Sequence, residues 1–215
     1  MVGMVDEEAE PEAADVAADV VAAEKQVAGR KTVRLSDPRS MRALAHPLRL
    51  RLLSELRMHG PQTVGLLCEL VDEAPGSVSY HLGKLAEFGF VEPVPELARD
   101  RRERWWRAAH HGTSWEPLDM LDDPELRAAG DVLRRAILHR YMGLLDEYVE
   151  AEPTMDRDWV GAANSSDVFL HLTSGELAEL SAELDALAER WQARSDPERD
   201  GARTVSLIYH AFRRP

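Results

Sequence analysis

One cysteine, Cys68, in 215 residues leaves no internal disulfide framework and no multi-cysteine zinc site. No stretch approaches the roughly 18 consecutive apolar residues of a membrane-spanning helix. Positive charge is missing at the start. Five acids stand by Glu12 and the first base is Lys25, the opposite of a secretory leader. The first thirty residues also hold almost no aromatic or large aliphatic side chains, so they cannot bury enough surface to offset ordering, and an acidic disordered tail is expected over 1–35. Lysine is rare, three of 26 basic residues, and with abundant Ala, Gly and Pro this is the codon signature of a GC-rich bacterial genome. A soluble cytoplasmic protein is expected, with no membrane partner.

What remains is enough for a core: 44 % of residues are hydrophobic and 30 % charged. The formal net charge of −13 argues against nucleic acid only if it is spread evenly. It is not. Residues 1–29 carry eight acids against one lysine, and residues 111–215 carry twenty-one acids against eleven arginines. Residues 30–110 reverse the sign, with fourteen bases against ten acids. A basic segment inside an acidic chain is where a polyanion would be met.

That segment reads as short helices. Ser36-Asp37-Pro38 is a helix start, with Ser36 as N-cap, and Met41, Leu44 and Ala45 form its apolar stripe. Pro47 opens a second helix with Leu48, Leu52, Leu53 and Leu56 on one face, ending near Gly60-Pro61. Thr63 caps a third, with Leu66, Leu67 and Leu70 inward. Pro75 opens a fourth, with Val78, Leu82 and Leu85 inward and Gly89 as its stop, although Ala74 is a poor cap before it. Pro93 and Pro95 forbid helix and suit an edge strand, and Arg104-Trp105-Trp106-Arg107 reads as the returning strand of a hairpin.

Leu44 to Leu53 (LAHPLRLRLL), Thr63-Val64 through Leu70, Ser77 to Leu85 (SVSYHLGKL) and Gly89-Phe90-Val91 resemble the ArsR-type winged helix-turn-helix transcriptional regulators. The resemblance covers roughly residues 36–110. It implies a sequence-specific regulator of double-stranded DNA, a homodimeric repressor reading an inverted repeat. Residues 75–88 would be the recognition helix and 90–108 the basic wing.

With Val78, Leu82 and Leu85 inward, Ser77, Ser79, Tyr80, His81 and Lys84 fall on exposed or flanking faces, where a recognition helix meets base edges and phosphates. Arg99, Arg101, Arg102 and Arg104 cluster within six residues at the hairpin, suited to phosphates or an adjacent minor groove. One of Trp105 and Trp106 is expected to pack under the hairpin. Some ArsR relatives sense metals through cysteine pairs, but Leu70 stands where a second thiolate would be needed. Cys68 is then a small core residue, and neither a metal nor another cofactor is expected. Adjacent His110 and His111 point to opposite sides of an extended chain. No nucleophile–base pattern is present, so an enzyme is not expected.

Residues 111–215 are expected to serve dimerisation or an effector. A long helix is predicted over 123–151, with Leu126, Leu133, Ile137, Tyr141, Leu144 and Tyr148 along one face as a dimerisation stripe. Beyond it, Val168 to Leu172 and Val205 to His210 read as strands. They flank a helix with a Thr173–Glu176 capping box and a stripe of Leu177, Leu180, Leu184, Leu187 and Trp191. The fold expected is α+β and mainly helical: winged helix-turn-helix (36–110), long helix, then a small βαβ-like layer (168–210). The alternative is a small-molecule or metal sensor whose ligand binds the C-terminal half and releases DNA. A protein–protein adaptor using the same fold is a third reading.

Overall fold

The computed structural model of the protein describes residues 22–27, 30–100 and 103–215. The chain divides into two units, residues 1–140 and 141–215, and the division falls inside one long helix.

The first unit is a mixed α+β body. Strands β1 (Ala22–Val27) and β2 (Arg30–Leu35) are followed by α1 (Pro38–Leu44), α2 (Pro47–His59), β3 (Gln62–Thr63), α3 (Val64–Val71) and α4 (Pro75–Glu87). Then come β4 (Val91–Pro93), β5 (Trp105–Ala108), β6 (Gly112–Trp115), α5 (Asp119–Asp122) and α6 (Pro124–Ala151). One sheet has the order β1-β2-β6 and the other β3-β5-β4.

The helix boundaries follow from capping chemistry. Asp37, not Ser36, caps α1: its carboxylate accepts from the Ser40 amide at 2.8 Å and from the Ser40 hydroxyl at 2.8 Å. A carboxylate beside the positive helix end does this better than a hydroxyl one residue earlier. Thr63 caps α3 as expected, its hydroxyl accepting from the Leu66 amide at 3.2 Å. Gly89 follows α4 at φ +68°, a conformation that costs other residues, and it turns Phe90 back so that its amide reaches the Leu85 carbonyl at 2.9 Å.

The core gathers Leu48, Leu52, Leu53 and Leu56 of α2 with Val78, Leu82 and Leu85 of α4, as the periodicity predicts. The third helix departs from its reading. Leu67 is buried, but Leu66 and Leu70 are exposed and Val71 is buried instead. The inward face is therefore 64, 67, 68 and 71, a 3-1-3 spacing that puts the stripe one position away from Leu66 and Leu70.

The N-terminal boundary also moves. Residues 1–21, part of the expected tail, lie outside the described residues. From Arg30, however, the chain is a strand, and Val33 and Leu35 are buried in the core, so the domain begins before Ser36. Strand β2 pairs in parallel with β6, from Thr32 opposite Gly112 to Leu35 opposite Trp115. The helical segment between them thus has both ends joined by one ladder. Arg57 of α2 reaches the same junction. Its guanidinium donates to the His110 carbonyl at 3.0 Å and the Thr113 hydroxyl at 2.7 Å, and burial pushes its pKa down to about 10. His110 is buried and His111 exposed, opposite in direction as expected.

Helix α6 begins as predicted, but its apolar face is occupied within the chain. Leu126 is 5 % exposed and Leu133 1 %, both in the core with Met41 and Met120, and Ile137 packs on it. Gly130 makes that approach close: a Cβ there would meet the Met120 sulfur at 2.6 Å.

In the second unit α6 runs to Ala151, followed by α7 (Arg157–Ala162) and α8 (Ser174–Arg194). The capping box forms: the Thr173 amide donates to the Glu176 carboxylate at 2.8 Å, and the Glu176 amide to the Thr173 hydroxyl at 3.3 Å. Leu177, Leu180, Leu184 and Leu187 are half-buried and Trp191 is exposed. The expected strands are absent. Residues 168–172 and 205–210 belong to no helix or strand and enter no ladder, so the βαβ-like layer is not formed. Residues with strand propensity are not enough, because a strand also needs a neighbouring edge, and neither segment pairs with one.

Leu133→Ala is expected to cost about 2–5 kcal/mol, the range for emptying a packed core site. Denaturant unfolding checks this. A loss that depended on protein concentration would instead place Leu133 in an interface between copies.

Candidate nucleic-acid interface

Four elements set the geometry of this face: α3, α4 and the β4–β5 hairpin, with β3 joining them. Strand β5 pairs antiparallel with β4 on one side, Val91 opposite Ala108, and with β3 on the other, Thr63 opposite Trp105. Pro93 sits in an edge strand, where its missing N–H is tolerated. Trp106 packs on the core and Trp105 is half-buried beside it, so the hairpin is anchored by the inward ring, as expected.

On α4 the inward residues Val78, Leu82 and Leu85 leave a second face outward. Tyr80 is 60 % exposed, Ser79 is exposed and Ser77 half-buried. Ser79 lines an open cleft of about 390 Å³ with Thr63, Val64, Gly65, Glu103 and Arg104. The structure therefore brings together a residue predicted on the helix and one predicted on the hairpin. Arg104 and Arg99 are exposed. The tip is braced by acids: the Arg99 amide donates to the Glu103 carboxylate at 2.8 Å, and the Glu103 amide to Asp100 at 3.1 Å. Arg101 and Arg102 lie outside the described residues.

Two predicted contacts are engaged within the chain. Lys84 forms an ion pair with Glu87 at 2.7 Å, which holds its pKa above the usual range. An exposed pair of this kind is weak and readily exchanged. His81 stacks on His46, ring centroids 4.3 Å apart and tilted 35°, and edge-on to Tyr80 at 5.1 Å. Its Nδ1 is buried without a hydrogen-bond partner. Burial, the His46 ring and Arg49 hold His81 below the usual histidine range, while Glu73 opposes them. Burial and Arg49 lower His46 in the same way, again against Glu73, and its Nδ1 accepts from the Leu48 amide at the start of α2.

Arg49 and Arg51 went unnoticed in the sequence reading because both sit inside a helix whose leucines dominate the pattern. Arg51 donates to the carbonyls of Val71 at 2.9 Å and Leu70 at 2.8 Å, closing the end of α3. Arg107 is paired with Glu92 at 2.7 Å and lies 3.9 Å from Glu96. Ala74 makes no side-chain cap for α4, as its apolar side chain dictates.

A family model described as a helix-turn-helix domain matches residues 44–94, from the end of α1 to just beyond β4. The segment is a helix-turn-helix domain. Its match points to a DNA-binding regulator, and the matched residues take in α2, α3 and α4. No curated protein matches the chain. Among the described residues no helix is long and apolar enough to cross a membrane, and no group of three or more His, Cys, Asp or Glu is placed to hold a metal ion. The candidate dimerisation residues lie elsewhere. Leu126, Leu133 and Ile137 belong to the first unit's core, whereas Tyr141, Leu144 and Tyr148 are half-buried in the second.

The two depressed histidines predict a pH effect. A histidine that binds its proton less readily when folded contributes stability that is present above its unfolded pKa and lost as pH falls. The melting temperature should hold steady above about pH 6.5 and decline below it, more shallowly in His81→Gln. Equal slopes in the two proteins would mean that the stacked pair has no part in the decline.

Proposed function

We propose that the protein is a sequence-specific, double-stranded-DNA-binding transcriptional regulator, acting as a homodimeric repressor of ArsR type. Helix α4 is its recognition helix, and the β4–β5 hairpin is its wing. The observation that carries this reading is the shared cleft: Ser79 of the helix and Arg104 of the hairpin line it together within a helix-turn-helix domain. A groove-reading helix with a basic hairpin beside it meets bases and backbone at once.

In this reading Ser77, Ser79 and Tyr80 stand nearest the base edges, Tyr80 having the most exposed surface to offer. His81, held against His46, positions Tyr80 through their edge contact and is itself less free to reach a base. Lys84 exchanges Glu87 for a phosphate. Arg99, Arg101, Arg102 and Arg104 supply the wing's charge. Association with DNA is then local in origin, because the rest of the chain is acidic and repels the polyanion.

Fluorescence anisotropy with the duplex upstream of the protein's own gene, against random duplex at two salt concentrations, tests the reading. Tyr80→Ala should narrow the gap between specific and random duplex, by roughly 1–3 kcal/mol if one base contact is lost. Arg101→Ala with Arg102→Ala should weaken binding to both duplexes and flatten the salt dependence by about two logarithmic units, near 0.9 per phosphate contact. Affinity unchanged by the arginine pair at low salt would remove the hairpin from the interface. No binding to either duplex would overturn the reading.

A further inference from the structure

The second unit contains two segments outside any helix or strand whose composition does not suit exposure. Residues 164–172 and 204–215 make no backbone–backbone hydrogen bond, either in a ladder or in a turn. Their apolar side chains face solvent: Val168, Phe169 (77 %) and Leu170 in one segment, Val205, Leu207 and Phe212 (71 %) in the other. The two segments lie near each other, since the Arg214 guanidinium stands 5.7 Å from the centre of the Phe169 ring. The second is also anchored. Its Tyr209 hydroxyl donates to Asp185 of α8 at 2.8 Å, and its His210 ring lies 5.9 Å from Tyr141 of α6. The structure thus leaves two segments without backbone partners, with apolar side chains and unpaired peptide groups presented together.

Unpaired N–H and C=O groups beside exposed apolar side chains can be satisfied by strand pairing, and the charge pattern indicates with what. Residues 203–215 carry Arg203, Arg213 and Arg214 and no acid, whereas residues 141–202 carry fifteen acids against four arginines. None of the three arginines is ion-paired to a carboxylate within its own chain. An acid-free basic segment and an acidic surface in the same unit are mutually complementary when two copies meet. Two identical segments can also pair antiparallel about a two-fold axis, with each supplying the donors the other lacks.

We propose that the second copy of this chain occupies this surface. Residues 166–172 and 204–212 become strands by pairing with the same region of the partner. The arginines of 203–215 then lie against the partner's acidic α8. This deepens the homodimer reading above by naming its seam, and it does not require that the protein bind DNA.

The test is sedimentation equilibrium of the full chain at micromolar concentration, with hydrogen exchange of the backbone amides. The wild type is expected at twice 24.1 kDa, with amides of 168–172 and 205–212 protected. Phe169→Glu combined with Leu207→Glu should return it to 24.1 kDa and abolish that protection, with helical circular dichroism retained. Arg203→Glu with Arg213→Glu, exposed positions away from the Phe169 ring, should weaken the dimer severalfold. This variant keeps the test decisive if the first one misfolds. A monomeric wild type, protected amides in a monomer, or a dimer indifferent to both pairs of substitutions would each overturn the proposal. Anisotropy on the same samples separates the two readings. A dimer with this seam that ignores DNA defeats only the regulator, and a DNA-binding monomer defeats the seam and the homodimer but leaves DNA binding standing.

Discussion

Thr63 joins the helices of the first unit to its hairpin. Its peptide lies in β3 opposite Trp105, its hydroxyl caps α3, and its side chain forms part of the cleft shared by Ser79 and Arg104. A helix packed only by leucines can slide or rotate at small cost, because dispersion and burial are not directional. One residue that is both the last of a strand and the cap of a helix removes that freedom. The start of α3 is then fixed relative to β5. Helix α4 packs on α3, so it inherits its position from the same place. The spacing between the outward face of α4 and the hairpin is therefore set by covalent geometry and two hydrogen-bonding arrangements, and the core only has to fill the space behind.

The parts of this architecture legible in the sequence are those specified by neighbours along the chain. Helices α2 and α4 were readable from Pro47 and Pro75 at their starts and from leucines at helical spacing. The hairpin was readable from Pro93, Pro95 and the paired tryptophans. Strands β2 and β6 were not, because Arg30–Leu35 finds its partner about eighty residues away, and six residues of mixed polarity announce no such pairing. The candidate site divides the same way. Ser79, Tyr80 and Arg104 are where an outward helical face and a hairpin should put them. The stacking of His81 on His46 joins two helices and is not encoded by periodicity, whereas the Lys84–Glu87 pair follows from an i,i+3 spacing within α4.

The long helix shows why an apolar stripe does not reveal what covers it. Leu126, Leu133 and Ile137 have the spacing of a seam between copies, yet α1 and α5 reach them first through Met41 and Met120. Val168–Leu172 and Val205–His210 show the converse. Their composition is that of strands, yet no ladder forms there. In both cases the pattern marks apolar side chains and is silent on what, if anything, packs against them.

Arg51 carries a consequence for how substitutions in this domain are interpreted. The end of a helix presents roughly half a negative charge in its free carbonyls, and the turn after α3 adds Asp72 and Glu73 immediately before the groove-reading candidate helix. By binding the carbonyls of Leu70 and Val71, the guanidinium of Arg51 places a positive charge against that local negative field. Replacing it would expose a patch of repulsion next to α4 while leaving every outward side chain in place. Weaker DNA binding in such a variant would report a changed electrostatic background. It would not be evidence that Arg51 touches a base.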